Sequence, residues 1–488
     1  MLNQVLNRLH EQRQPAIDRL CDWLRIPSVS TDPAFAPDVR RAAQWAADRL
    51  RECGLDVKIV PTKGHPVVMA KTKGRRDEGT KGRSEGNGSA SPPSSLRPSV
   101  PTSLSSPPSL LFYGHYDVQP PDPIDLWTTP PFQPTIRDGA IYARGADDDK
   151  GQVSTFLEAL RAWHDVAGQI PINLTVILEG EEECGSANLV PFLEAHKAEL
   201  AADVAIVSDT AMWGDADPIL PAITYGLRGL VYFDIQLHGP ARDLHSGVYG
   251  GTVPNPATEL AIVLGQLFDS NHRINIPGFY DDVAPITADE RAQWDALHFD
   301  ERKMAQSVGL EQLHGEAGFS TLERRWARPC CDINGLYGGY MGQGAKTVIP
   351  SFAGAKVSFR IPPDMNPLRV DMLFRDFLTD HTPPGCSWKI EQHGAAHPVL
   401  VPTDSPYLQA AKRAITIATG GTAPVLMREG ATIPVISDFK RILGINTVMM
   451  GFGRHDDAIH SPNEHFRLDC FDLGRRAHAA MIDELRKM

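Results

Sequence analysis

Leu110-Leu111-Phe112-Tyr113-Gly114-His115-Tyr116-Asp117-Val118-Gln119-Pro120 decides the fold: an apolar run passes without a polar break into a glycine and a His-x-Asp. A strand apolar on both faces belongs inside a layered structure, covered above and below. Its polar end then faces the crevice at the carboxyl ends of the strands, where open α/β sheets hold their ligands. Similar runs occur at Val67 to Ala70, Leu174 to Leu178, Val204 to Val207 and Thr447 to Met450. Helical patterns lie between them. Gln152 to Trp163 carries Val153, Phe156, Leu157 and Leu160 on one face, and Pro37 to Cys53 opens on a proline and is followed by the stop signal Gly54. The alternation predicts an α/β fold, a mixed and mostly parallel sheet sandwiched by helices.

The middle of the chain has a different period. Val231, Phe233, Ile235 and Leu237 alternate with Tyr232, Asp234, Gln236 and His238, and Val357, Phe359 and Ile361 alternate with Lys356, Ser358 and Arg360. Period two marks a sheet with one wet face. A second, α+β domain is therefore expected over residues 219–398, inserted into a first domain made of residues 1–218 and 399–488. Residues 73–108 are dominated by Gly, Ser, Pro and charge, cannot bury enough apolar surface to offset ordering, and are expected to be a disordered insertion. Met1 to Leu24 places Leu2, Val5, Leu6 and Leu9 at helical spacing among charges and reads as one amphipathic helix rather than a secretory signal.

At 488 residues the chain exceeds one ordinary domain. A formal net charge of −12 with no concentrated basic face argues against nucleic acid and anionic membrane as partners. No stretch reaches the roughly 20 apolar residues needed to span a bilayer. The seven cysteines are scattered, form no C-x-x-C pair and fit a reducing compartment, so a cytoplasmic location is expected. The neighbours Cys330 and Cys331 are expected to be free thiols, because adjacent residues rarely meet disulfide geometry.

The chemistry gathers at the strand ends. His115 can ligate a metal through one ring nitrogen while Asp117 accepts a hydrogen bond from the other; the same pair also occurs as plain structural hydrogen bonding. Tyr142 to Gly151 sets Asp147, Asp148 and Asp149 just before a helix, where capping and the helix dipole account for one or two acids but not for all. The run Leu174 to Leu178 ends in Glu179-Gly180-Glu181-Glu182-Glu183, and Val204 to Val207 ends in Ser208-Asp209. Carboxylates crowded at buried strand tips raise one another's pKa and cannot all ionise unless a cation joins them. Gly451 to Glu464, which holds His455 and His460, supplies the missing second imidazole. Imidazoles with several carboxylates suit two divalent ions, whose charge three carboxylate ligands and a bridging hydroxide would balance.

Taken together these motifs resemble the M20 metallopeptidases, and most of all the cytosolic dipeptidase and carnosinase branch, over nearly the whole chain outside the insertion. The resemblance implies metal ligands His115, Asp148, Glu183, Asp209 and His460, with Asp148 bridging, His115 and Asp209 on one ion, and Glu183 and His460 on the other. It implies Asp117 as the residue that orients His115 and Glu182 as the general base acting on a metal-bridged water. The inserted domain becomes a lid and dimerisation domain. Its His245, in Asp243-Leu244-His245-Ser246-Gly247, is implied to cross a homodimer interface and hold the oxyanion in the neighbouring site. Arg360, Thr347 and Thr432 are implied substrate contacts, and a guanidinium suits a peptide's terminal carboxylate because it grips both oxygens. The implied activity is hydrolysis of the amide bond in dipeptides or short peptides, with two zinc ions, or manganese or cobalt in their place. An N-acyl amino acid deacylase or desuccinylase, and a catalytically silent metal-binding homologue, are the alternatives. Cys184, beside the ligand Glu183, is expected to be a buried neutral thiol, and neither His455 nor His465 matches a ligand position.

Overall fold

The computed structural model describes residues 1–73, 108–214 and 220–488, so the insertion expected over 73–108, save its two end residues, and the boundary expected at 218–219 lie outside the described residues. The described chain forms two compact units. One comprises Met1–Asp209, Ala410–Ala423 and Phe452–Met488, the other Thr210–Gln409 and Pro424–Gly451.

In the first unit the strands Asp56–Val60, Val67–Lys71, Asn173–Glu179, Ser109–His115 and Val204–Val207 lie side by side in that order. Ser109–His115 is parallel to both its neighbours, whereas Val67–Lys71 and Asp56–Val60 add antiparallel strands. The sheet is mixed, as the apolar runs predict, and its parallel centre carries the polar strand ends. The helix Lys150–Ala167 is buried on nearly every side, as a helix clothed all round by sheet and helices must be. Phe156 stacks on Phe112 of the central strand with ring centroids 3.7 Å apart. The approach is close enough that a Cβ on Gly114 would meet Val153 Cγ2 at 2.3 Å and Asp149 Oδ2 at 2.9 Å, so only glycine fits there. At the helix start, the Lys150 ammonium is fully buried and donates to the carbonyls of Ile26 (2.7 Å) and Trp23 (3.3 Å). Burial pulls its pKa down to about 7.

The N-terminal segment is two helices, Leu2–Glu11 and Arg13–Leu24, rather than one. The break is at Gln12 (φ −93°, ψ 17°). Pro15 has no N–H to offer the carbonyl four residues back and its ring crowds that carbonyl, so the turn before it cannot continue an α-helix. A small sheet pairs Ala140–Tyr142 antiparallel with His465–Arg467, which sets the loop following the first strand beside the loop preceding the second.

In the second unit the order is Cys330–Gly338, Phe352–Ile361, Gly229–His238, Ser387–Ala396, antiparallel throughout. Gly229–His238 alternates strictly between buried and half-buried residues, the expected period of two. Its buried face meets Phe359 and, from the helix Pro367–Asp380, Phe374, whose ring centroid lies 4.8 Å from that of Phe233. Ala222–Leu227 pairs parallel with Val425–Glu429 and antiparallel with Val399–Leu400 and Thr447–Met449. All seven cysteines are free, Cys330 and Cys331 included. Among the described residues no helix is long and apolar enough to cross a membrane.

Candidate metal centre

Each acidic or imidazole side chain of the first unit reaches the centre from the carboxyl end of a strand or from an adjoining loop. His115 is the last residue of its strand and stands opposite Glu179. Glu182 and Glu183 open the short 3-10 turn Glu182–Cys184 that follows the next strand, and Asp209 comes two residues after Val204–Val207. Asp148 lies just before the buried helix, and His460 lies in the loop before His465–Arg467 with a left-handed φ of 60°. Non-glycine residues adopt that conformation uncommonly, and histidine more readily than most.

Asp148 is the meeting point. Its Oδ1 is 3.0 Å from His115 Nε2 and its Oδ2 is 2.9 Å from His460 Nε2, which is itself 3.2 Å from Glu183 Oε2. Ligand atoms of His115, Asp148 and Asp209 all lie within 4.8 Å of one another, and so do those of Asp148, Glu183 and His460. The five expected metal ligands thus gather in one place, in two groups that share Asp148. On the other edge of the His115 ring, Nδ1 faces Asp117, 3.2 Å from its carbonyl and 3.4 Å from its carboxylate. With the Nδ1 proton directed there, the Nε2 lone pair faces a carboxylate, an arrangement that asks for a cation between them. Glu183 Oε1, buried without a hydrogen-bond partner, asks for the same. The Asp117 carboxylate also accepts the backbone N–H groups of Glu182 (3.3 Å) and Glu183 (3.0 Å), so one aspartate fixes both the imidazole and the turn.

The electrostatics follow from crowding. Burial works against the charged form of His115, but hydrogen bonds to Asp117 and Asp148 outweigh it and raise the pKa. Hydrogen bonds donated to Asp148 and Glu183 lift His460 to about 10. Burial opposes ionisation of Asp148, yet its hydrogen bonds to both imidazoles hold it below the ordinary carboxylate range. Asp209 has no such partner among the described residues; burial and then the Asp148 charge push it up to about 7. Glu182 is raised by burial, with Asp209 and Glu183 adding to the effect and His115 opposing it.

Three residues quoted in the motifs but given no role prove structural to the centre. Glu464, fully buried, accepts the backbone N–H groups of Asp147 and Asp148 on Oε1 (both 3.1 Å), and on Oε2 the N–H of Gly145 (3.0 Å) and Arg144 Nη1 (2.6 Å). Asp149 does not cap its helix; its Oδ2 accepts the backbone N–H of His115 at 3.1 Å. Gln119 donates to Glu183 Oε2 at 2.8 Å. The preceding motif carries Arg144, whose buried guanidinium Glu464 neutralises. Cys184 departs from expectation in being exposed at the end of its turn, with Sγ 3.5 Å from the Glu181 carbonyl; partial burial still lifts the thiol to about 11, so it stays neutral. His465 stacks on Tyr142 at 4.7 Å, and His455 is exposed.

The remaining expected residues belong to the second unit, in two contacts. Arg360 Nη1 donates to Thr432 Oγ1 at 2.9 Å. His245 pairs with Val348 across a two-residue bridge, and the Thr347 carbonyl accepts the Ser246 N–H at 3.1 Å. His245 Nδ1 accepts the Gly247 N–H at 3.0 Å, which leaves Nε2 carrying the proton as a free donor. A Cβ on Gly247 would come within 2.9 Å of this ring.

The raised pKa values give a pH test. In chelated protein Asp209 keeps its proton up to about 7 and His460 up to about 10, against unfolded values of 3.8 and 6.5. Both groups bind more protons folded than unfolded, so each stabilises fully below its unfolded pKa and loses that contribution as pH rises through the folded one. A divalent ion held by both groups would displace these protons. The gap in melting temperature between zinc-loaded and chelated protein is therefore expected to widen from about pH 5 to about pH 8. A gap that is constant or narrows over that range would show that Asp209 and His460 are not ligands.

A family model described as peptidase family M20/M25/M40 matches residues 111–484. A Cys-Gly metallodipeptidase of Schizosaccharomyces pombe is 32% identical over 99% of this chain and 98% of its own length. The beta-Ala-His dipeptidase of Homo sapiens is 32% identical over 100% of this chain and 93% of its own. The crystal structure of human carnosine dipeptidase 1 superposes with a TM-score of 0.79 at 30% identity, covering 100% of this chain and 99% of that one.

Proposed function

The chain belongs to peptidase family M20/M25/M40 and is a metallopeptidase that hydrolyses dipeptides, and from that premise we propose which residues carry the reaction. The observation behind the assignment is Asp148 set between two imidazoles, with Oδ1 toward His115 and Oδ2 toward His460. His115, Asp148 and Asp209 would hold one divalent ion, and Asp148, Glu183 and His460 a second. Nitrogen and oxygen donors in this mixture suit zinc first, with manganese and cobalt as the other candidates. Two such ions would polarise the scissile carbonyl and bring the pKa of a water toward neutrality.

The protein side chains do the rest. Asp117 sets the His115 tautomer and anchors the turn from which Glu182 projects. Glu182 removes a proton from the attacking water and returns it to the leaving amine, a task suited to a carboxyl whose pKa is raised by burial. The Nε2 proton of His245, left free by the Gly247 hydrogen bond, is donated to the oxyanion. We assign that donation to His245 of the partner subunit in a homodimer; the exposed apolar side chains Val248 and Tyr249 that follow it are the kind of surface a second copy covers. Arg360 and Thr432 receive the terminal carboxylate of the peptide, and Thr347 is a further substrate contact in this reading. The layout proposed for this work is a catalytic domain of residues 1–218 and 399–488 with a lid and dimerisation domain over 219–398.

Turnover of a panel of dipeptides and N-acyl amino acids, after chelator stripping and readdition of zinc, manganese or cobalt, tests the reading. Dipeptides are expected to be cleaved at least about tenfold better than N-acyl amino acids, in kcat/KM, with whichever metal restores activity. The opposite ranking would make the enzyme a deacylase, and turnover by fully stripped protein would remove the metal from the mechanism.

A further inference from the structure

Arg360 and Thr432 are held by a third residue. The Thr432 hydroxyl, which accepts from Arg360 Nη1, donates at 2.6 Å to the backbone carbonyl of Arg228. The Arg228 backbone N–H donates to the Glu429 carbonyl at 3.3 Å, and its Nε donates to the Gly430 carbonyl at 3.2 Å. One residue therefore fixes the loop at Glu429, Gly430 and Thr432. The other end of the guanidinium reaches the strand beside Arg360: Nη1 lies 3.4 Å from the carbonyls of Arg324 and Arg328 and 3.4 Å from Cys330 Sγ, and Cys330 is the register partner of Arg360. Arg228 is buried, and among the described residues neither it nor Arg360 is paired with a carboxylate. Burial and then the Arg228 charge draw the Arg360 pKa down. Two guanidiniums drawn together over neutral acceptors form a surface that an anion completes.

We infer that Arg228 is a positioning residue for recognition of the substrate's terminal carboxylate, clamping the 429–432 loop and the Cys330 strand so that Thr432 holds the Arg360 guanidinium in one orientation. The inference rests on the reading of Arg360 as the carboxylate's partner. Only a planar fork of donors can meet acceptors on two sides at once; an ammonium keeps the charge but loses the clamp.

The test compares wild type, Arg228→Lys and Arg360→Lys on one dipeptide and on the same dipeptide with a C-terminal amide. For Arg228→Lys, KM for the free acid is expected to rise about tenfold with kcat within about twofold, and KM for the amide to change by less than about twofold. If wild type does not turn over the amide, inhibition constants of the two compounds serve instead. A merely structural role would weaken acid and amide alike; that result, or an unchanged KM for the acid, overturns the inference. Should Arg228→Lys fail to fold, Arg228→Gln, which buries no unpaired ammonium and cannot meet acceptors on both sides at once, must give the same acid-specific loss. If Arg360→Lys leaves the preference for acid over amide intact, it is the assignment of Arg360 that fails. If Arg360→Lys abolishes the preference while Arg228→Lys and Arg228→Gln keep it, that assignment stands and the role of Arg228 is refuted.

Discussion

Glu182→Gln is expected to lower kcat by between about 10²- and 10⁴-fold while leaving KM and the bound metal nearly unchanged. Glutamine keeps the shape and the backbone hydrogen bond to Asp117, and Glu182 belongs to neither of the two groups whose ligand atoms converge. What it removes is a carboxyl able to take up a proton and release it, in a site where burial already favours the protonated form. Steady-state kinetics and metal content measured on one preparation check both halves. A variant that turns over normally would take Glu182 out of the mechanism, and one that loses its metal would make it a ligand. The same variant tests the shared active site. If the chains pair as proposed, mixing it with chains carrying His245→Ala would give heterodimers in which one site has both intact groups, so activity is expected to return once subunits exchange. No return would confine His245 to its own chain.

Glu464→Ala is expected to cost about 3–5 kcal/mol of stability, more than any surface charge could, because it leaves the buried Arg144 guanidinium without its counter-ion. It also strips the backbone N–H groups of Gly145, Asp147 and Asp148 of their acceptor. Since those N–H groups set the orientation of Asp148, metal affinity is expected to fall too. Glu464→Gln retains one acceptor oxygen and is expected to fall between alanine and wild type. Denaturant titrations of chelated and metal-loaded protein, with metal affinity from competition with a chromophoric chelator, measure the two effects. An alanine variant as stable as wild type would mean that water enters and replaces the carboxylate, and that the loop does not depend on it.

Much of this architecture is legible in the residues themselves. The run Leu110 to Tyr113 is apolar on both faces because helices cover both, and period two at Val231 to Leu237 reports a sheet covered on one side only. The residues that gather at Asp148 were legible for a related reason: acids at buried strand tips are costly, so their presence signals a use. Glu464 was not legible in this way. Its partners are mostly backbone N–H groups more than 300 residues away in sequence, and backbone donors leave no mark in side-chain patterning. The two-helix N-terminus was missed because apolar spacing continues across Gln12 while the constraint from Pro15 acts on the turn before it. Cys184 was misjudged because its neighbours in sequence are buried strand and ligand residues, whereas the turn carries it outward.

Lys150 links distant parts of the chain more tightly than its place in a motif suggests. Its ammonium is satisfied by the carbonyls of Trp23 and Ile26, and it opens the helix against which the Asp148 loop is folded. A fragment cut to begin where the family model's match begins, at residue 111, would retain every group proposed for proton transfer and metal binding and yet strand a cation in apolar surroundings beside them. The opening 26 residues supply none of the groups proposed for the reaction, but they are the floor on which those groups stand.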